Sequence, residues 1–432
     1  MINKNVFCVG LGKLGLIFSF LLAEKGFKIY GHDVDEGIEI RIKKNIKDDE
    51  PKLNDLIKKN KKNFKFIKDY NHAINKTNYC FIILPTPSKK NKEFDNSYIF
   101  DCLGKMGEFL KNKNKYLINI TSTVNPGSCN NFIKFLENKF NLKHGKEFII
   151  TYNPHLIALG SIYNDVLNSD LVILGSDIKE GHKYLMNFYK KIYSKNLNKL
   201  RKLKLTEAEV SKIAINSYIT MKISFSNLIS SISDKEENID SSVILNTIGF
   251  DRRIGHKYLS LGAMFAGPCF PRDNLNFAKF LAKKNLNNSL PKVIDKINDL
   301  QFDRYINVYK KNKKFIKSVP KVGICGLSYK DNTPLTTRSP GEKLVNYFKN
   351  KNQVFIFDEF VNKTKIKNVK FTENLKELFE KSDIIFICYR HQKFKNLGKF
   401  VSKKNKLIID LWNYIKIPTR TKRLKIIKLG IS

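Results

Sequence analysis

The stretch "VFCVGLGKLG", residues 6–15, decides the fold. An apolar run leads into glycines 10, 12 and 15 and then into "LIFSFLLAEKG", which has helical character. A second apolar run, "KIYGHD", ends at Asp33, 23 residues after Gly10. Strand, glycine turn, helix and strand with a closing acid form the dinucleotide-binding fingerprint. Gly10 allows the tight turn, Gly12 lets the backbone approach a pyrophosphate, and Gly15 permits close packing of helix on sheet. The helix N-terminus offers unpaired N–H groups to the phosphates. Leu11 lies inside the same turn and counts with Gly10, Gly12, Gly15 and Asp33 as a cofactor contact. Asp33 is placed to accept from ribose hydroxyls, which favours NAD over NADP. A tight turn with no cofactor is the alternative reading of the hexapeptide taken alone.

Working outward, "YCFIILP" (79–85), "YLINIT" (116–121), "EFIITYN" (147–153) and "LVILG" (171–175) extend a parallel α/β series. Loops follow three of these strands, where open α/β sheets bind ligands: "LPTPS" with Pro85 and Thr86, "TSTVNPGS" with Thr123, and "YNPHLIALGS" with Asn153, His155 and Leu156. From residue 205 the texture changes. Some thirty residues run without Pro or Gly at helical spacing, and Thr206 stands three before Glu209 in a capping-box arrangement. Shorter helices follow to about residue 310. At "PKVGICGLSYK", residues 320–330, buried-strand runs return, repeated by "QVFIFD", "DIIFICY" and "KLIIDLW". The expected fold class is α/β, with two Rossmann-like doubly wound domains joined by a long central helix and a helical connector. The expected domains are an NAD-binding domain (1–200), a central helical dimerisation and catalytic domain (201–317) and a C-terminal nucleotide-sugar, UDP-binding α/β domain (318–432).

Charge is the unusual bulk property: 79 basic against 40 acidic residues, formally +39. Of the basic residues 69 are lysine, and they are scattered along the whole chain. A nucleic-acid binder concentrates its charge in a stripe, so no nucleic-acid partner is expected. Attraction of anionic small molecules is the expected consequence. Seven cysteines form no CxxC pair and no framework, which points to a reducing, cytoplasmic location and no metal site. The apolar run 6–23 carries Lys13 and three glycines and does not read as a membrane segment.

One motif stands apart: "GPCFPRD", residues 267–273, sets Cys269 between two prolines. Taken with "VGLGKLG", "ILPTPS", "TSTVNPGS", "EVSKIAINSYITMKISFSN", "GFDRRIGHKYL" and "GLSYKDNTPLTTRSP", in this order, it gives the chain a family resemblance over nearly its full length. The chain resembles the UDP-glucose/GDP-mannose dehydrogenase family, in a divergent form. The resemblance implies an NAD-dependent, four-electron oxidation of a sugar C6 alcohol to a carboxylate on a nucleotide-diphosphate sugar, as in UDP-glucose 6-dehydrogenases that serve polysaccharide synthesis. It also implies a homodimer built through the long helix. Cys269 is the implied nucleophile, forming a thiohemiacetal and then a thioester, since a thiolate both attacks and leaves well. Lys212 and Asn216, four apart on one helix, match the pair that stabilises the oxyanion. Asp273 matches a carboxylate associated with water activation, and Thr123 a hydroxyl that positions water or substrate. Arg253 matches an arginine that reaches the sugar in a neighbouring subunit. Lys330 and Arg338 match basic residues near the nucleotide diphosphate and cofactor. Asn153, Leu156, Tyr258, Phe265 and Gly267 complete the implied substrate contacts.

The chain also departs from the family. His155 stands where a catalytic glutamate is common and Leu159 where a second acid lies. His155 is then a candidate base with a pKa near neutrality, or a hydrogen-bonded turn histidine. "GAMFAGPC" replaces a glycine-rich run, and its added side chains are expected to narrow or reshape the sugar pocket. Trp412 in "IDLWN" stands where an arginine is common. Two other functions fit parts of the sequence: a two-electron β-hydroxyacid-type dehydrogenase, which needs neither Cys269 nor a second α/β domain, and a catalytically impaired nucleotide-sugar binding protein.

Overall fold

The computed structural model describes residues 4–44, 48, 50–193, 197–316, 319–361, 368–416 and 423–431. The chain divides into two compact units, Met1–Ala214 and Ile215–Ser432. The expected boundary at 317/318 lies outside the described residues.

The first unit is built on eight strands: β1 (Asn5–Val9), β2 (Lys28–His32), β3 (Phe64–Phe66), β4 (Tyr79–Ile82), β5 (Tyr116–Ile120), β6 (Phe148–Tyr152), β7 (Val172–Gly175) and β8 (Leu200–Leu203). They lie in the order β3-β2-β1-β4-β5-β6-β7-β8, a doubly wound sheet that reverses at β1/β4. β4, β5, β6 and β7 are buried along their whole length, as strands covered by helices on both faces must be. The stretch 171–175 does not simply extend the parallel series. β7 pairs antiparallel with β6, and β8 runs parallel to β7. The connection after β6 spends residues 153–161 on an irregular loop. That leaves a helix of only six residues, Ile162–Leu167, too short to recross the sheet for a parallel return.

Residues 6–23 form β1 and the helix Lys13–Glu24, nearly all of it buried. No helix among the described residues is long and apolar enough to cross a membrane.

The second unit has six strands, all parallel: β9 (Val322–Cys325), β10 (Val354–Phe357), β11 (Val369–Phe371), β12 (Ile384–Ile387), β13 (Lys406–Asp410) and β14 (Leu424–Lys428). Their order, β11-β10-β9-β12-β13-β14, reverses at β9/β12. Alternate residues of one strand feed opposite cores: Ile384 and Phe386 pack on one face, Ile385 and Ile387 on the other. The helix Pro340–Phe348 is capped by Ser339, and its Glu342 reaches back to the residue before the cap. Ser339 accepts from the Glu342 N–H at 2.9 Å, and the Glu342 carboxylate accepts from the Arg338 N–H.

The two sheets use one turn design. Gly10 (φ +90°) and Gly326 (φ +97°) end β1 and β9 in a left-handed conformation. The next N–H, of Leu11 or Leu327, donates to an acid after the neighbouring strand, Asp33 at 2.6 Å or Asp358 at 2.8 Å. A Cβ on Gly15 would lie 1.9 Å from the Gly10 carbonyl oxygen, and one on Gly341 would lie 2.3 Å from that of Gly326. Five residues separate the first pair of glycines and fifteen the second. The second turn therefore carries an insertion, which bears Lys330 and Arg338.

Candidate active site

The first unit assembles a dinucleotide turn. Nothing lies within 4 Å of where a Gly12 Cβ would stand, so the backbone there is open to a close-lying group. Gly10 and Gly15 are instead packed against backbone, which forces their identity. Asp33 spends one oxygen on Leu11 and the other on the Asp35 N–H at 2.9 Å, yet each keeps a lone pair for a ribose hydroxyl. The turn thus has the open backbone and fixed acid that a dinucleotide requires. Thr86, after β4, donates to the Thr123 carbonyl at 2.6 Å and ties the two neighbouring loops; Pro85 precedes it.

The helix Leu205–Ile232 starts in the first unit and carries Lys212 there. The capping box read at Thr206 and Glu209 is corrected by the structure. Residue 205 already lies in the helix, and Glu207 takes the Lys204 N–H at 2.8 Å. Glu209 turns inward and accepts from the Gly127 and Cys129 N–H groups at 2.5 and 2.7 Å, at the start of the helix Ser128–Phe140. Burial pushes this carboxyl above its ordinary range, against the lowering effect of those two N–H groups. Glu209 thus holds the loop of Thr123 to the helix of Lys212. Glu50 does the same for the loop after β6, accepting from Gly160 and Ile162 at 2.9 and 3.0 Å. Sequence reading missed both links, which span 80 or more residues and leave no local pattern.

Lys212 is buried, 7 % exposed, and makes no hydrogen bond or ion pair among the described residues. A buried ammonium without a counter-charge is costly unless an anion completes it.

His155 is not poised near neutrality. Its pKa is pushed down to about 4 by burial first and by the nearby Lys212 charge second. The ring packs edge-on against Phe18, 4.6 Å between centroids. Its Nε2 lies 3.2 Å from the Tyr189 hydroxyl, which bonds in turn to Asn153, while Nδ1 is buried without a partner. Asn153 also donates to the Ile173 carbonyl at 2.6 Å. The imidazole is therefore neutral through the physiological range, and it is linked to Asn153 through the Tyr189 hydroxyl. Leu156 lies beside it in the same loop, partly exposed, and Ile157 and Leu159 pack on the core.

A stability consequence follows. The folded pKa of about 4 lies below the ordinary histidine value of 6.5, so the folded state binds fewer protons between these values. The stability that this gives is present above pH 6.5 and is lost as pH falls toward 4. Wild type is expected to lose about 2 to 3 kcal/mol more than a His155→Gln variant between pH 7 and pH 4. Denaturant unfolding of both at the two pH values measures it; equal losses would show that His155 titrates normally.

The second unit holds the cysteine. Cys269 is exposed and caps the helix Phe270–Lys283, with Pro271 in its first turn. The sulfur thus sits beside a helix N-terminus, where positive partial charge favours a thiolate. The other six cysteines are buried. Burial pushes the thiols of Cys8 and Cys102 up to about 12 and raises those of Cys80, Cys129, Cys325 and Cys388 further, so these six remain protonated.

Asp273, one turn on, is fully buried. It accepts from the Asn216 amide at 2.6 Å and from Arg272 at 3.1 Å. Asn274 extends the network, accepting from Ser217 at 2.8 Å and donating to the Pro291 carbonyl. Both of its oxygens are engaged, with a guanidinium beside one of them. It is well placed to aim the Asn216 amide.

In the loop before the cysteine, Ala263, Met264, Phe265 and Ala266 are all buried. The helix Ser289–Asn312 pins their backbone. Asn298 accepts from the Phe265 N–H at 2.7 Å and donates to its carbonyl, and the Tyr305 hydroxyl accepts from Met264. Gly267 (φ +83°) lies against the Tyr329 ring. Lys330 stands over that ring, 5.8 Å from its centroid. Arg338 is exposed at φ +56°. Arg253 is exposed and bidentate with Asp251, and Tyr258, also exposed, meets Phe270 edge-on.

A dinucleotide turn on one doubly wound sheet, and a single exposed cysteine at a helix start, define an NAD-dependent dehydrogenase acting on CH–OH groups. Three segments then match one family: residues 4–194 its NAD binding domain, 206–300 its central domain and 323–417 its UDP binding domain. The chain belongs to the UDP-glucose/GDP-mannose dehydrogenase family and is a nucleotide-sugar dehydrogenase. It is 30% identical over 430 residues to a UDP-glucose 6-dehydrogenase of Rickettsia felis, covering 95% of this chain and 92% of that one. It is 28% identical over 431 residues to a UDP-N-acetyl-D-mannosamine dehydrogenase of Methanocaldococcus jannaschii, covering 96% and 93%. The fold matches a UDP-glucose dehydrogenase structure from Pyrobaculum islandicum with a TM-score of 0.86, at 21% identity over 100% of this chain and 98% of that one.

Proposed function

We propose that the protein oxidises the C6 alcohol of a UDP-sugar to the carboxylate in two hydride transfers, with Cys269 carrying the sugar between them. The observation that carries this reading is the exposed Cys269 at a helix start, one turn from a buried Asp273 that holds Asn216. NAD supplies the hydride acceptor, one molecule for each of the two steps. The first oxidation leaves an aldehyde. The Cys269 thiolate adds to its carbonyl carbon, and the resulting oxyanion is stabilised by the Lys212 ammonium and the Asn216 amide. The second hydride leaves this thiohemiacetal as a thioester. Water then adds, the C–S bond breaks, and the thiolate returns. With Asp273 paired and His155 at about 4, hydrolysis leans on stabilisation of the tetrahedral oxyanion and not on a strong base. Thr123, Asn153, Tyr258, Arg253 and Lys330 remain the proposed substrate contacts. UDP is favoured as the nucleotide because both named relatives act on UDP-sugars and the third segment matches a UDP binding domain.

The purified protein with NAD and a panel of UDP-, GDP- and CDP-sugars is expected to release two NADH per UDP-sugar and a uronic acid. One NADH per turnover with aldehyde as product would point instead to a two-electron dehydrogenase.

The active form is proposed to be a homodimer through the central helix. Tyr218, Phe225, Leu228 and Ile232 make an exposed apolar stripe along it, from 38% to 58% exposed, with Val243 and Phe250 exposed on the helical segment that follows. Their spacing of seven, three and four keeps them on one face. A Phe225→Glu variant is expected to shift the mass in light scattering from dimer to monomer at micromolar concentration; an unchanged dimer would place the interface elsewhere.

A further inference from the structure

The segment between β9 and the helix Pro340–Phe348 carries Lys330 and reaches the cysteine loop. The Gly267 N–H donates to the Thr337 carbonyl at 2.9 Å, and a Cβ on Gly267 would lie 2.7 Å from the Tyr329 ring. Cys269 is two residues further on. The base of the segment is fastened to the sheet. Asp358 accepts from the Leu327 and Ser328 N–H groups at 2.8 and 2.9 Å, and the Ser339 hydroxyl donates to the Leu327 carbonyl at 2.6 Å. Further along, the bonds are local: the Tyr329 N–H donates to the Leu335 carbonyl, the Ser328 hydroxyl to the Lys330 carbonyl and the Asn332 N–H to the Asp331 carboxylate, each at 2.9 Å.

A histidine from another loop meets Asp331. His391 follows β12 and stands at the start of the short helix Gln392–Lys399. Its side chain is 11% exposed and packs among the rings of Phe394, Phe360 and Tyr389, with centroids 5.3, 6.1 and 6.2 Å away. Nε2 lies 3.8 Å from the Asp331 carboxylate and 3.7 Å from that of Glu359. Nδ1 is buried without a hydrogen-bond partner. Both Nε2 distances suit an ion pair and are too long for a hydrogen bond. A neutral ring therefore holds neither acid, whereas an imidazolium draws both. The other charges nearby do not replace it. Lys393 pairs with Glu359. Asp358 is occupied by the N–H groups of Leu327, Ser328, Phe360 and Val361. Burial raises the Tyr389 phenol, which stays un-ionised.

We propose that His391 is a positioning residue whose imidazolium latches the Lys330 segment, through Asp331, to the Glu359 loop after β10. Histidine is the side chain that ordinarily changes charge between pH 5 and 8. The latch is closed at the acid end of that range and released at the alkaline end. The consequence for catalysis rests on the function proposed above; the latch itself does not.

Hydrogen exchange of the full-length protein at pH 6 and pH 8, corrected for the intrinsic pH dependence of exchange, reads the latch directly. Peptides covering residues 327–339 are expected to be about fivefold better protected at pH 6, the scale of two partly screened ion pairs. In His391→Gln that difference is expected to vanish, with protection at the wild-type pH 8 level throughout. Asp331→Asn, a change on a partly exposed side chain, is expected to reduce it by half or more. Equal protection of wild type at the two pH values, or the same difference in a folded His391→Gln or Asp331→Asn, overturns the latch. The kcat/KM for the nucleotide-sugar tests the positioning role. The ratio of wild type to His391→Gln is expected to be about fivefold at pH 6 and near one at pH 8. A ratio independent of pH overturns that role. A wild type that oxidises no nucleotide-sugar would sink the proposed function and leave the exchange result to decide the latch.

Discussion

A Cys269→Ser variant is expected to lose acid formation by at least about 10³-fold, some 4 kcal/mol of transition-state stabilisation. A serine hydroxyl at the same helix start is un-ionised at neutral pH, whereas a thiolate there is favoured and nucleophilic. Even if serine added to the aldehyde, the ester formed would hydrolyse through a poorer leaving group. The first hydride transfer needs no thiol, so aldehyde trapped by a hydrazine is the expected product, at one NADH each. Acid formation within about tenfold of wild type would remove Cys269 from the chemistry. No other cysteine is a ready substitute, since the remaining six are buried and their thiols are held protonated.

The second large effect is expected at Asp273. Asp273→Ala removes the acceptor for the Asn216 amide and one counter-charge of Arg272 in one step. It leaves Asn216 as a buried amide without that acceptor and weakens the hold on Arg272, whose side chain is 24% exposed. Breaking a buried pair on one side costs about 3 to 5 kcal/mol; the partial exposure of Arg272 sets the expectation near about 3 kcal/mol. Chemical denaturation measures that loss. Asp273→Asn keeps an acceptor for Asn216 and loses only the charge, so it separates aim from ionisation. A positioning role predicts that Asp273→Asn retains most of kcat. A base role predicts that it loses kcat as severely as Asp273→Ala, and that outcome would assign Asp273 the water-activating role.

Much of the first sheet was legible because its signals are local. Glycines at 10, 12 and 15 after an apolar run leave one conformation for the turn, and Cys269 between prolines could be singled out without coordinates. The antiparallel β7 was not legible: a four-residue apolar strand reads the same in either direction, and the connection before it decides which way it runs. Glu209 satisfied a local capping pattern, yet its carboxylate found two N–H groups 80 and 82 residues away. The hold on the backbone of Met264 and Phe265 was not legible either: it comes from Asn298 and Tyr305, more than thirty residues on.

The sequence by itself determined the α/β class, the dinucleotide turn, the family and the place of Cys269. Each depends on residues within a few positions of one another, where covalent geometry limits the choices. Tertiary structure alone decided the charge and company of those residues. It desolvated His155 to a neutral ring, paired Asp273 with Arg272 and Asn216, buried Lys212, and set Arg390 on Trp412. Burial and pairing are set by groups distant in the chain, and they govern what an ionisable side chain can do far more than its neighbours in sequence.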